Sequence, residues 1–229
     1  MISLARVGIM AEMHGRDLTR RHVALALLVA LPLAFYLASV GSEGAMPLIA
    51  GGIGMAFSVS GATLFSVLSS EEVDQRLVLG GYRPLELLLG RMAFLGPLGL
   101  LIGAGFSLLM WLVTDPLRPW VMALGVAVVA LQSIPFGLAV GAAVPRELEG
   151  TLVLIGVVGM QLAMEPDAAV AKALPFYGAG RLFESAVVPS GPVLGPVLQS
   201  AAYGLGLLVI ARAFMVRRLS VQRHGELAR

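Results

Sequence analysis

The sequence predicts an all-α, polytopic membrane protein that spans the bilayer six times with both ends on the cytoplasmic side, and three observations lead there. Of its 229 residues, 58% are hydrophobic and 13% charged, against roughly 25% charged in a soluble domain, and the mean hydropathy is +0.88. A water-soluble fold could not hide that much apolar surface. Second, the chain repeatedly offers apolar runs able to cross about 30 Å of hydrocarbon at a rise of about 1.5 Å per residue. Third, the cations fall on alternate connections. Arg6, Arg16, Arg20, Arg21, Arg76, Arg83, Arg91, Arg146, Arg212, Arg217, Arg218, Arg223 and Arg229 lie on inner segments, and only Arg118, Lys172 and Arg181 on outer ones, a positive-inside bias that orients the chain.

The elements follow in order. Residues 1–21 form an interfacial helix of modest amphipathicity, because Ile2, Ile9 and Met13 share a face with Arg6. Glu12, His14, Arg16 and Asp17 precede the first apolar run and no small-residue cleavage pattern follows it, so that run is expected to be retained as a span. The runs His22–Val40, Met46–Leu68, Met92–Thr114, Val121–Val144 and Val193–Phe214 reach spanning length. The run Thr151–Met164 is short and spans only if its helix starts near Glu147 and the bilayer thins locally. The layout is one membrane domain, 1–229, with its spans in 22–214 and a basic cytoplasmic tail, 215–229. Arginine outnumbers lysine fifteen to one, as in proteins of GC-rich bacteria, and a bacterial inner membrane is the expected location.

The connections are uneven. Tight outer turns follow spans 1 and 3, the second with Pro116 and Pro119 as breakers and Trp120 as an interfacial anchor. The inner segment from Ser69 to Arg91 is long and charged. Ser69 and Ser70 as caps, then Glu71, Glu72 and Asp74 in the first turn and Arg76 one turn on, predict a short helix that ends at Gly80 and Gly81. Val73 and Leu77 make an apolar pair opposite Glu71, Asp74, Gln75 and Arg76. Such a helix is either a docking element for a soluble partner or a solvated connection. Pro84 then starts the helix of span 3 before the apolar run begins. After span 5, Asp167 is placed to cap a short helix 168–174, and a second piece, 179–187, follows. Neither can span, so both fold back at the outer interface, with Phe176, Tyr177 and Phe183 at headgroup depth.

Within the spans only Arg212 is charged, and it lies near an inner end where it can snorkel. Ion- and proton-coupled carriers generally need intramembrane carboxylates or histidines. The mild polar groups, Ser58, Ser60, Thr63, Ser66, Gln132, Ser133, Gln161, Gln199 and Ser200, serve either a translocation path or helix packing. Gly51, Gly52, Gly54 and Gly61, and Gly96, Gly99, Gly103 and Gly105, are expected at helix contacts. Cysteine is absent, which removes disulfides, thiolate metal sites and cysteine nucleophiles. No Walker A loop surrounds the sole lysine, Lys172, and neither a two-histidine zinc pattern nor a Gly-x-Ser-x-Gly elbow occurs. His14 and His224 read as solvated and His22 as interfacial. No metal or cofactor is expected on this chain, and nothing suggests a nucleic-acid partner.

Three stretches resemble the permease subunits of ABC transporters of the type-2 export class. Glu71-Glu72 through Arg76-Leu77, followed by Tyr82-Arg83-Pro84-Leu85-Glu86-Leu87-Leu88-Leu89-Gly90-Arg91, is similar to that family's inner segment between spans 2 and 3. Pro145-Arg146-Glu147-Leu148-Glu149-Gly150 resembles its lead into a short span 5, and Ala173-Leu174-Pro175-Phe176-Tyr177 its outer proline-aromatic stretch. The resemblance implies that the inner segment is a coupling helix for a separate ATPase subunit, which carries the ATP and Mg, with Glu71, Glu72, Val73, Gln75, Arg76 and Leu77 as coupling residues. It further implies a second permease chain, identical or related, and a path lined chiefly by spans 1, 2 and 5. Phe57, Ser58, Ser60, Phe65, Met160, Gln161 and Met164 are the candidate path residues; their low polarity suits export of a small hydrophobic or amphipathic compound, such as a drug or antimicrobial, by alternating access. Export of a lipid-linked polysaccharide or of sodium, a non-transporting membrane scaffold and an intramembrane enzyme are the alternatives, the last without a candidate catalytic side chain.

Overall fold

A computed structural model of the chain describes residues 3–164 and 168–226. Ile2 and the proposed cap Asp167 lie outside the described residues. Ten helices follow one another: α1 (Leu4–Thr19), α2 (His22–Ser39), α3 (Met46–Ser69), α4 (Glu71–Leu79), α5 (Pro84–Thr114), α6 (Pro119–Ala143), α7 (Glu147–Ala163), α8 (Ala169–Lys172), α9 (Tyr177–Ala186) and α10 (Leu194–Glu226). No strand occurs among the described residues.

Four helices are long and apolar enough to cross a membrane: α3, α5, α6 and α10, the last over Leu194–Leu219. The apolar helix α2 has 18 residues and α7 has 17, which at a rise of about 1.5 Å per residue is some 3–5 Å less than about 30 Å of hydrocarbon. Shortness expected of the fifth run alone is thus shared by the first. α3 and α6 are mostly covered by protein, whereas α5 and α10 leave most of their apolar surface bare. A helix that is apolar on both its covered and its bare sides belongs in lipid.

The two covered helices make the core. α6 packs on α3, α5, α9 and α10, while α2 and α7 both lie against α3, and α1 lies along α5. Close approach is made possible by small residues. A methyl on Gly137 of α6 would run into the Ser60 carbonyl and Thr63 of α3, and one on Gly54 of α3 would come within 2.9 Å of the α2 backbone at Pro32. Gly51, Gly52 and Gly103 likewise face side chains that leave no room for a methyl, but Gly61, Gly96 and Gly105 face open space. The last three are therefore not contact glycines, although their spacing resembles that of the others.

The ends of the bundle differ. One end gathers α1, α4, the start of α5 and the far part of α10, tied by ion pairs; the other carries the 115–118 turn, α8 and α9. α1 contradicts its sequence reading in two respects. Met10 and His14, one turn apart, are its buried pair, while Ile9 is exposed. Met10 sits on Gly90 of α5, where a methyl would collide with it. His14 is not solvated, and its Nε2 is buried without a hydrogen bond.

Candidate functional site

α4 starts after Ser70, whose side chain does not cap it: Ser70 Oγ donates to the Ser66 carbonyl at 2.7 Å and accepts from Arg91. Three acids in its first turn and Arg76 in its last favour the helix through its dipole. Gly81, at φ +90, turns the chain out of it, and Arg6 of α1 donates to the Gly81 carbonyl at 2.7 Å. The Glu86 carboxylate accepts the Arg83 backbone N–H at 2.9 Å, one half of a capping box, where α5 starts at Pro84. The Glu86 carboxylate also accepts the Ser3 backbone N–H at 2.9 Å, joining the start of α1 to the same corner.

The inner face of α4 is held by two arginines. Asp74 meets Arg91 of α5 at 2.6 Å, with the Arg91 side chain 0% exposed. Glu71 takes both Nε, at 2.9 Å, and Nη2 of Arg218 on α10, whose Nη1 donates to the Gly141 carbonyl of α6 at 3.1 Å. Burial pushes the Asp74 carboxyl above the usual carboxylate range, while Arg91 and Arg218 act in the opposite direction. Burial, aided by the neighbouring Arg91 charge, lowers His14 to about 4, so that it is neutral at pH 7.

This arrangement rotates α4 relative to its sequence reading. Charge does not segregate outward: Asp74 is buried and Glu71 half-buried against arginines, while Val73 is 41% exposed. Leu77 packs against the core. The free face consists of Glu72, Val73, Arg76 and Leu79, spaced along one side of the helix, with Leu79 56% exposed and Gln75 at its edge. Of the six proposed coupling residues, Glu72, Val73 and Arg76 thus face outward, and Glu71 and Leu77 join the helix to the bundle.

The opposite end is closed by α8 and α9. α9 buries Ala179, Leu182, Phe183 and Ala186, and Phe183 fits against Gly52 of α3 and Gly125 of α6, where a methyl would strike its ring. Phe176 packs edge-on against Phe136. Phe176 and Phe183 are therefore core residues rather than headgroup anchors, because the short helices fold into the bundle and not onto its rim. Irregular backbone in such surroundings needs partners for its carbonyls. Gln132 of α6 donates to the Pro175 carbonyl, and Gln199 and Tyr203 of α10 donate to those of Lys172, at 3.2 Å, and Ala173, at 2.8 Å. Arg118 donates to the carbonyls of Ser185, at 3.3 Å, and Gly191, at 3.2 Å, at the end of α9.

Beneath α9 lies a cavity of about 140 Å³, bounded by Ile49 and Ile53 of α3, Gln161 and Met164 at the end of α7, and Tyr177 and Phe183 of α9. Gln161 Oε1 is buried there and makes no hydrogen bond. Gln161 and Met164 are the two proposed path residues that the cavity brings together. Ser58 instead donates to the Leu28 carbonyl of α2 at 2.9 Å, and Ser60 to the Ala56 carbonyl at 2.6 Å, so both serve packing. Phe57 lies against the core, and Phe65 and Met160 point outward. Among the described residues no cluster of three or more His, Asp or Glu side chains could hold a metal ion.

The arginines that hold α4 were not among the sequence candidates. Arg91 was recognisable only as the last charge before an apolar run, and Arg218 as one of several tail cations. No protein-family model matches the chain, and no curated protein matches its sequence.

Proposed function

We propose that the chain is the membrane-spanning subunit of an ATP-driven exporter, crossing a bacterial inner membrane six times through α2, α3, α5, α6, α7 and α10, with α1, α4 and the C-terminal end in the cytoplasm. The observation that carries this reading is α4: a short helix fastened by one face to two long helices while Glu72, Val73, Arg76 and Leu79 stay free on the other. A connecting loop needs no such fastening, whereas a helix that receives force from a soluble partner does. The partner would be an ATPase subunit that carries ATP and Mg, and a second permease chain, identical or related, would complete the path.

The outer cavity supports a small, largely apolar cargo, because its lining is mostly aliphatic and aromatic, with Gln161 and the ion-paired Arg181 and Glu184 as its polar members. Drug-like or antimicrobial amphiphiles suit it better than sodium, which would need oxygen ligands in number.

The test is recovery of the chain from its native membrane in nanodiscs, with mass spectrometry of what remains bound. A stoichiometric Walker-type ATPase is expected, and its loss from the Glu72→Arg/Leu79→Asp variant with unfolding unchanged would assign the free face of α4 as its seat. Recovery without any ATPase, under conditions that retain other such complexes, would overturn the reading in favour of a scaffold.

A further inference from the structure

α1 runs beside α5 in the same direction. Met10 sits on Gly90, and a methyl on Gly15 would come within 3.0 Å of the Phe94 ring, so that Thr19, four residues further on, stands beside Leu98. Between the two helices lies an open groove of about 600 Å³, with Ala93, Phe94, Pro97 and Leu101 as its floor and Glu12, Arg16 and Thr19 along its edge. The floor does not end with the groove. Leu101, Leu108 and Leu112, exposed by 72, 52 and 72%, continue it as a bare apolar stripe along α5. From Leu101 to Leu112 is about 16 Å, about half of the hydrocarbon core and so the reach of one acyl chain.

The edge of the groove is charged. Glu12, Arg16 and Arg20 follow one another at four-residue steps and share one side of α1. Arg16 pairs with Glu12, and Arg21 with Asp17. Arg20 is exposed at the end of the helix and has no carboxylate partner among the described residues. Over 12–21 three arginines therefore meet two acids, and the surplus cation falls where the groove opens onto the bare stripe. Charges beside Leu98 cannot lie in hydrocarbon, so the headgroup layer reaches the groove on this flank. An apolar floor under a cationic edge, continuous with a lipid-facing stripe, matches one kind of molecule: a phosphate that carries a hydrocarbon chain.

We propose that the α1–α5 groove binds a singly anionic phospholipid, such as phosphatidylglycerol, from the leaflet at that end, with its phosphate on Arg20 and Arg16 and one acyl chain laid over Pro97, Leu101 and Leu108. A zwitterionic lipid would cover the floor equally well but leave the surplus charge of the edge unmatched. The site is separate from the cavity beneath α9. It needs α5 to lie in a bilayer and does not depend on the exporter reading.

The experiment uses the full chain in phosphatidylcholine nanodiscs that contain a trace of photoactivatable phosphatidylglycerol or of the matching phosphatidylcholine, each with a diazirine at mid-chain. Saturable labelling of α5 within 97–108 is expected, displaced by unlabelled phosphatidylglycerol and at least about fivefold stronger with the anionic probe, the effect of one cation near an anionic headgroup. Arg20→Gln should reduce that preference about fivefold, and Arg20→Lys should retain it. Glu12→Gln, which frees Arg16, should raise it. All three substitutions are at exposed positions and should leave unfolding unchanged. Equal labelling by the two probes would mean that bulk lipid occupies the groove without selection. A preference untouched by Arg20→Gln, or shared by the bare face of α10, would reflect the general charge of the basic end. Any of these results would overturn the proposal.

Discussion

The Asp74–Arg91 pair allows a test of how α4 is held. Both side chains are almost fully buried, at 5% and 0% exposure, so solvent screening does not reduce the pair to the small value of a surface ion pair. Replacing Arg91 by Met leaves Asp74 buried with no guanidinium, and breaking a buried pair from one side destabilises by about 3–5 kcal/mol. Yet the pair is incompletely satisfied: Arg91 uses only Nη2, its Nε and Nη1 are buried without partners, and so is Asp74 Oδ1. Each unmatched group has given up water for nothing, so the pair itself should add little net stability. The double variant Arg91→Met/Asp74→Leu is therefore expected to lie within about 1 kcal/mol of the parent, or above it. Reversible unfolding in mixed micelles, followed by helical circular dichroism, gives all four corners of the cycle. A single variant that loses less than about 1 kcal/mol, or a double variant no better than the worse single one, would refute this reasoning.

Other outcomes follow from particular contacts. His14, lowered from its ordinary 6.5 to about 4, favours the packed state of α1 above pH 6.5 and loses that contribution, of the order of 3 kcal/mol, as the pH falls from 6.5 to 4. In this cysteine-free chain, Met10→Cys should be protected from thiol reagents at pH 7 and react increasingly over that interval in a pulse-labelling assay quenched at constant pH; protection unchanged to pH 4 would contradict the buried neutral imidazole. Gly137→Leu should prevent α6 from seating on α3 and abolish monodisperse purification, whereas Gly61→Ala should be neutral in the same size-exclusion assay. Gln132→Leu leaves the Pro175 carbonyl without its donor and should destabilise the α8–α9 fold by about 1–3 kcal/mol, read as faster protease cleavage between α8 and α9; an unchanged cleavage rate would show that carbonyl to be satisfied by other means.

Local chemistry was legible where it was self-contained. Pro84 marked the start of α5, Gly80-Gly81 the end of α4, and the apolar runs located the four long helices, although α10 continues to Glu226, twelve residues past the end of its run. The rotation of α4 was not legible, because a nine-residue helix with acids on two sides has no phase until its cations are known. Asp74 and Arg91 are 17 residues apart and Glu71 and Arg218 are 147 apart, distances over which no periodicity speaks. Polarity misled in the other direction for His14, whose imidazole is buried in its neutral form. For Phe176 and Phe183, aromatic character indicated depth but not whether lipid or protein surrounds the ring. Likewise, the mild polar residues of α3 and α7 looked alike in sequence, and only their hydrogen bonds distinguish the packing serines Ser58 and Ser60 from Gln161 at the cavity.

In the six-span arrangement proposed above, the shortness of α2 and α7 gives the molecule a lipid-facing belt of unequal height. Both lie against α3, and at 18 and 17 residues they reach about 27 and 25 Å. On the other flank the apolar stretch of α5, 92–114, has 23 residues and that of α10, 194–214, has 21, about 35 and 32 Å. A fluid bilayer must thin along one side and thicken, or tolerate tilted helices, along the other, at a fraction of a kcal/mol for each ångström of mismatch. That elastic penalty diminishes when two thinned flanks meet and expel the lipid between them. Bilayer thickness thereby becomes a force that directs association toward the α2–α7 side, and the same force should slacken in membranes of short-chain lipids.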